Sequence, residues 1–446
     1  MKIFFSGIGG SGVSAIAGFM ADKGHQVSGS DRLFDADPSN HVCLSLKSNG
    51  ITVFPQDGTG IDSSPDLAVF STAVEKSNPD FQRASAAGIR IRTRPEYLAE
   101  IVSTYETVAV AGTSGKSTIS GMLAFLMQKL GISVNFIGGG RVKQFRNERN
   151  PGNRLAGTSG LLVVEACESD GTLVNYRPAW TILSNLDLDH HSISDTAAMF
   201  EQLSLNTAKR TLVCTDDANL ASCKIKEAVS FSVEGDSDYK AGDVRLHPLR
   251  SDFRVGRTNF ELSLPGKHNI YNAMACIALL SEMGISPEKT ATVLPEFTGI
   301  ERRFDIHLND GRTLVVDDYA HNPHKIGSLI KTMQAVGSRV CYIFQPHGFG
   351  PTRMMKDGYI KVFSEGLRDG DSLFLLPIYY AGGTAAKDIS SDDLAKGISA
   401  SGRAATVIHD RKEIVGRLGQ WDSYVVFGAR DDSLSGLAEE IAKRLR

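Results

Sequence analysis

The sequence lacks any apolar run approaching the roughly 18 residues that a membrane-spanning helix needs. Its opening, MKIFFSGIGGSG, breaks into glycines where a secretory leader would continue apolar. No membrane insertion and a cytoplasmic location are therefore expected. Cysteine is sparse: the six, at positions 43, 167, 214, 223, 276 and 341, form no CxxC pair and no zinc-ligand spacing. Reduced thiols are expected, without disulfides or structural zinc. An excess of charge of one sign is missing too. With 48 Lys and Arg against 51 Asp and Glu the formal net charge is −3, and without a basic run the electrostatic footprint of a nucleic-acid partner is absent.

What is present is length and an α/β rhythm. A chain of 446 residues, 41% of them apolar, exceeds one ordinary core and predicts several domains. In the first hundred residues, short β-rich runs (KIFFSGIGG, HQVSGSD, DLAVFSTA) alternate with helix-like stretches (SAIAGFMADKG, PDFQRASAAG), the pattern of a parallel sheet. A second such series starts near Thr107 and runs through LLVVEACESD, TILSNLDLDHH and TLVCTDD. A third begins near Arg302 with TLVVDDYAHNP, RVCYIFQPHG, SLFLLPIYYAGG and YVVFGARDD. Three α/β domains are expected, over residues 1–105, 106–300 and 301–446.

Two glycine loops carry the chemistry. Gly7, Gly9 and Gly12 of GIGGSG follow a strand and open a helix, and Asp31 ends the next strand about 20 residues on, as in a dinucleotide fingerprint. Taken alone this reads as NAD, yet the same backbone approach serves any nucleotide diphosphate, a UDP-sugar included. The second loop, AGTSGKST at 111–118, departs from the usual P-loop by Val110 where a glycine is usual. Gly112, Gly115, Lys116, Ser117 and Thr118 remain between an apolar strand and a helix. Backbone N–H groups and a lysine then converge on phosphate, with a hydroxyl placed for magnesium. Further on, Glu165 ends the run LLVVE, and Asp189 and His190 follow another strand. Strand ends in a parallel sheet share one crevice, so a carboxylate and an imidazole there can hold Mg²⁺ against nucleotide oxygens.

In order and spacing, GIGGSGVSAIA, HQVSGSD, AGTSGKST, VVEACESD, SNLDLDH, LPGKHNIYNA, RRFD, DDYAHNP and FQPH resemble the Mur ligases of peptidoglycan synthesis, in particular their alanine-adding branch. The resemblance covers essentially the whole chain. It implies an N-terminal Rossmann-like UDP-sugar-binding domain, a central P-loop ATPase and a C-terminal Rossmann-like amino-acid-binding domain. It also implies a reaction: ATP phosphorylates the carboxylate of UDP-N-acetylmuramate, and the amine of an amino acid, alanine in that branch, displaces the phosphate. By motif, Gly112, Thr113, Ser114, Gly115, Lys116, Ser117 and Thr118 would cradle ATP, and Ser117, Glu165 and His190 would hold magnesium. His268, Asn269 and Asn272 resemble nucleotide contacts, with Asn272 at the adenine. Arg303 resembles a phosphate-reaching arginine and Asp317 a ribose-binding acid. Tyr319, His321, His347 and Arg353 would line the amino-acid and acyl-phosphate end. Gly9, Gly10, Ser11 and Gly12 would face the UDP diphosphate, with Ser30, Asp31, Ser71 and Thr72 near the uridine.

Some positions depart from the family pattern. Ser114 replaces a histidine, Cys167 replaces a carboxylate, Asn322 replaces the second histidine of HHP, and Gly383 replaces an acid. After FQPH an arginine-bearing loop is replaced by GFGP, leaving Arg353 as its cation. ATP use is thus better supported than alanine use. The rivals are a murein peptide ligase adding a tripeptide, an NAD-dependent dehydrogenase built on the first loop, and a P-loop regulator.

Overall fold

The structure is a computed structural model and describes residues 1–188, 191–380 and 386–446. The chain forms two compact units, Met1–Thr298 and Gly299–Arg446, which between them contain three sheets.

The first sheet comprises β1 (Lys2–Ser6), β2 (Gln26–Ser30), β3 (Thr52–Phe54), β4 (Leu67–Phe70) and β5 (Arg90–Thr93), all parallel, in the order β3-β2-β1-β4-β5. The apolar runs of β1 and β4 are buried from Ile3 through Phe5 and from Leu67 through Phe70, as expected for parallel strands covered on both faces. Strand order reverses between β1 and β4. The GIGGSG loop leaves β1 at this switch point, where a doubly wound sheet opens its ligand crevice. Asp80, fully buried, ties the β1 and β2 ends together: it accepts from Ser6 Oγ (2.8 Å), Ser30 Oγ (2.5 Å) and the Gly58 N–H (2.9 Å).

The second sheet, in the same unit, holds β6 (Glu106–Ala111), β7 (Asn135–Ile137), β8 (Arg154–Leu155), β9 (Leu161–Glu165), β10 (Trp180–Leu183), β11 (Arg210–Cys214), β12 (Ala228–Ser232), β13 (Tyr239–Leu246), β14 (Ser251–Val255) and β15 (Thr258–Leu262). Its order is β15-β14-β13-β12-β11-β10-β6-β9-β7-β8. The parallel core runs from β13 to β7, and on the far side of β13 the hairpin-connected strands β14 and β15 extend the sheet antiparallel. That extension is absent from the sequence reading. Its strands are half polar, and Phe253 stacked on Phe260 at 5.3 Å is their main apolar contact. Two helices, Lys116–Lys129 and Lys267–Glu282, are buried almost all round, from Thr118 to Met127 and along most of Asn269 to Leu280, so the loop before the first helix stands on a rigid base.

The second unit carries β16 (Asp305–Asn309), β17 (Leu314–Asp318), β18 (Val340–Gln345), β19 (Ser372–Leu375), β20 (Ala405–Val407) and β21 (Ser423–Gly428) in the order β16-β17-β21-β18-β19-β20. Only β16 is antiparallel. The buried run YVVF of β21 lies between β17 and β18, which brings the ends of DDYAHNP, FQPH and FGARDD to one edge.

Candidate active site

In the first unit the chain leaves β6 through Gly112 and enters the helix at Lys116. Gly112 (φ +145°) and Gly115 (φ +85°) adopt backbone that side-chain-bearing residues avoid, and space forbids a side chain as well. A Cβ would lie 2.1 Å from Ser184 Oγ at Gly112 and 2.6 Å from Asn272 Oδ1 at Gly115. Between them, Thr113 Oγ1 and the Ser114 N–H both donate to Asn185 Oδ1 at 2.8 Å, while Asn185 Nδ2 donates to the Ser114 carbonyl at 2.9 Å. No side chain caps the helix that follows, so its first-turn N–H groups stay available to an anion.

Lys116 Nζ donates to the Gly112 carbonyl at 2.6 Å and pairs with Glu168 at 2.9 Å. Burial alone would lower the pKa of this ammonium. The Glu168 carboxylate, then Cys167 and Glu165, reverse that and hold it above the usual lysine value. The lysine is therefore charged at any working pH. Ser117 Oγ donates to Glu165 Oε2 at 2.9 Å, and the Gly139 N–H donates to the same oxygen at 3.1 Å. A hydroxyl beside a carboxylate oxygen is a donor set that suits Mg²⁺, a hard cation that keeps several waters. His190, the imidazole expected to join them, lies outside the described residues, as do Asp189 and Gly383. Among the described residues no group of three His, Cys, Asp or Glu side chains gathers as a metal site. Thr118 is buried beneath the loop.

Asn269 and Asn272 are also buried: Asn269 Nδ2 donates to the Pro265 carbonyl (2.8 Å) and Asn272 Nδ2 to Asn269 Oδ1 (3.1 Å). Asn272, expected at the adenine, thus props Gly115 from below, and His268 is the exposed member of the three.

At the first loop, helix Ser11–Asp22 likewise starts without a side-chain cap, and Gly10 and Ser11 are exposed there. Two expectations need correction. Asp31 accepts from the Gly9 N–H (2.8 Å) and the Leu33 N–H (3.0 Å), so its carboxylate braces the loop and caps a helix instead of waiting for a ribose. Ser30 is fully buried with its hydroxyl on Asp80. Ser71 is partly exposed and Thr72 exposed. Gly12 packs under Arg94, whose guanidinium pairs with Asp170 beyond β9. Arg94, Glu168 and Asn185 join the site through partners distant in sequence, and no motif marks them as site residues.

In the second unit, the Tyr319 ring meets the guanidinium carbons of Arg302 at 5.1 Å and Arg303 at 5.0 Å. His321 lies 5.5 Å from Tyr319 and 5.4 Å from His347, ring centre to ring centre. His321 Nδ1 donates to the Tyr319 carbonyl at 2.9 Å, which leaves Nε2 as an acceptor. Burial pushes the His321 pKa down to about 4, and burial followed by the Arg430 charge lowers that of His347. Both rings are therefore neutral near pH 7.

Two further expectations are corrected here. Asp317 is fully enclosed, 3.5 Å from Arg302 Nε and accepting from Ser435 Oγ, and burial raises its pKa to about 7; it anchors β17 and does not face a ribose. Arg303 is partly exposed, whereas Arg302 is the buried one, donating to the Gly428 carbonyl at 2.7 Å. Arg353 pairs with Asp388 and donates to the Ala386 carbonyl at 3.0 Å, so it is not the free cation that the GFGP loop suggests. Because that pair is exposed, Arg353→Ala is expected to shift the Michaelis constant for an amino-acid substrate by no more than about threefold. A tenfold rise in steady-state kinetics would give the role back to Arg353.

Three family descriptions match in sequence along the chain: Mur ligase family, catalytic domain, at residues 2–106; Mur ligase middle domain at 110–280; and Mur ligase, glutamate ligase domain, at 302–431. The UDP-N-acetylmuramate--L-alanine ligase of Fusobacterium nucleatum is 31% identical over 473 residues, spanning 100% of this chain and 97% of that protein. The protein of the same name from Synechococcus sp. strain RCC307 is 32% identical, spanning 96% and 93%. Among solved structures, the UDP-N-acetylmuramate-alanine ligase of Thermotoga maritima superposes with a TM-score of 0.82 at 26% identity, covering 100% of this chain and 99% of that one. A murein peptide ligase of Psychrobacter arcticus shares the fold, with a TM-score of 0.71 at 21% identity and coverage of 100% and 98%.

Proposed function

The chain belongs to the Mur ligase family, and from that premise we propose that it joins L-alanine to the carboxylate of UDP-N-acetylmuramate in peptidoglycan synthesis, using ATP. The observation that carries this reading is the braced phosphate loop, with Lys116 charged and Ser117 beside Glu165, on a chain that matches relatives named for that reaction along its length.

A carboxylate is a poor electrophile, whereas its acyl phosphate offers a good leaving group to an attacking amine. Oriented N–H groups at the start of helix Lys116–Lys129 and the Lys116 ammonium stabilise the charge that builds on phosphoryl oxygens during transfer. Ser117 and Glu165 would hold Mg²⁺, which supplies charge neutralisation between phosphates. The open N-terminus of helix Ser11–Asp22, with Gly9, Gly10 and Ser11, would take the UDP diphosphate. His321, too weak a base to keep a proton at neutral pH, would orient the amine by accepting its N–H at Nε2. Dependence on ATP supports a cytoplasmic place of work. A second reading, transfer of a tripeptide, draws on the open space beside Gly350.

Phosphate release from ATP, measured with UDP-N-acetylmuramate against alanine, glycine, serine and a tripeptide, tests the reading. Release that requires both the sugar nucleotide and alanine is expected, together with calorimetric binding of UDP-N-acetylmuramate and none of NADH. Tight NADH binding without UDP-sugar binding would overturn it, and release supported only by the tripeptide would move the assignment to peptide transfer.

A further inference from the structure

We propose that Arg430 anchors the carboxylate of the incoming amino acid, an inference that rests on the ligase reading above. Three observations lead to it. The first is position. In the register of β17, β21 and β18, Asp318 lies beside Phe427 and Gln345 beside Gly428. Continued past the strand ends, the register sets position 430 between the levels of His321 and His347, whose rings are 5.4 Å apart.

The second is backbone. Arg430 is exposed and has φ +72°, the left-handed region in which a residue with a Cβ is disfavoured. A glycine would sit there without strain, so the arginine side chain is retained against a local conformational cost, a pattern typical of functional positions.

The third is charge. The carboxylates that follow Arg430 in sequence are committed elsewhere: Asp431 to Arg411 at 2.7 Å and Asp432 toward Arg302 at 3.4 Å. Arg353 is committed to Asp388. Among the described residues no carboxylate or carbonyl pairs with Arg430. An unpaired guanidinium close enough for its charge to bear on the His347 imidazole, which itself meets His321, suits a carboxylate, which it can bind through two parallel N–H bonds.

The test is steady-state kinetics of Arg430→Gly and Arg430→Lys with L-alanine, with L-alaninamide, which lacks the carboxylate, and with ATP as the varied substrate. In Arg430→Gly the Michaelis constant for alanine should rise by about thirtyfold or more, as for loss of charge-assisted hydrogen bonds. The constant for ATP should stay within about twofold, and the efficiency with alaninamide should hardly move. Arg430→Lys should fall between wild type and glycine. The melting temperature of Arg430→Gly should equal or exceed that of wild type, because the substitution relieves the backbone, so failure to fold cannot imitate the effect. An alanine constant within threefold of wild type, or alaninamide declining in parallel with alanine, overturns the assignment and leaves the ligase reading standing. Wild-type enzyme that releases phosphate with no amino acid dependence overturns both.

Discussion

Lys116→Ala should lower turnover by at least about a hundredfold, the loss seen when one oriented electrostatic donor is removed from a charge-developing transition state. The Lys116 ammonium is the mobile positive charge of the phosphate loop, 2.6 Å from the Gly112 carbonyl and nearly buried. The same change strands Glu168, whose side chain is 1% exposed, and breaking a buried pair costs about 3–5 kcal/mol of stability. The two effects separate in the double variant Lys116→Ala, Glu168→Gln. Removing the orphaned charge should restore most of the stability seen in thermal unfolding, whereas phosphate release should remain at the level of the single variant. Wild-type-like turnover in Lys116→Ala would remove the lysine from the chemistry.

Asp80→Ala should be among the most destabilising single changes in the first unit. Its carboxylate accepts from Ser6, Ser30 and the Gly58 N–H in a fully buried setting, and each donor left unsatisfied costs about 1–3 kcal/mol. Ser6 Oγ still accepts from Gln56 Nε2 at 3.1 Å and lies 3.5 Å from Ser30 Oγ, so the two hydroxyls recover part of the loss between them and a net cost of about 4 kcal/mol is expected, on the order of 10 °C in melting temperature. Affinity for UDP-N-acetylmuramate should fall as well. The Gly7 and Ile8 N–H groups both donate to the Ser30 carbonyl at the end of β2, so loosening that strand end loosens the glycine loop. A loss below 1 kcal/mol would mean that water substitutes for the carboxylate.

The strands of the parallel cores are legible in sequence because runs such as LLVV and VCYIF are apolar without interruption, as burial on both faces demands. Strands β13 to β15 escape because the alternation of β14 and β15 (D-F-R-V and N-F-E-L) lasts only five residues each, too short to stand out from loop, and β13 is mostly exposed and polar. In the candidate site, the glycine spacing of the phosphate loop reads directly, since only glycine fits the backbone there. Glu168 and Asn185 sit inside stretches whose neighbours draw attention, but their partners Lys116 and Ser114 are 52 and 71 residues away, and no local spacing encodes such a pairing. Ser30, Asp31 and Asp317 show the opposite difficulty. Each lies at or just past a strand end, where a polar side chain can turn out to a ligand or in to a neighbour. The deciding partners, Asp80, the Gly9 N–H and Ser435, come from elsewhere in the chain.

The phosphate loop is assembled from distant pieces. Its glycines are shaped against Ser184 and Asn272, its crest is held by Asn185 and its helix rests on the segment around Cys276, 157 residues downstream of Ile119. Contacts of such long range form late in folding, because the intervening chain must be ordered before they can stabilise anything. A nascent chain that has extended only as far as AGTSGKST therefore carries the motif without the means to hold a triphosphate. The loop is complete only when the second sheet and both of its buried helices are in place, so the ability to hold a nucleotide is expected to appear with the finished unit and not with the motif.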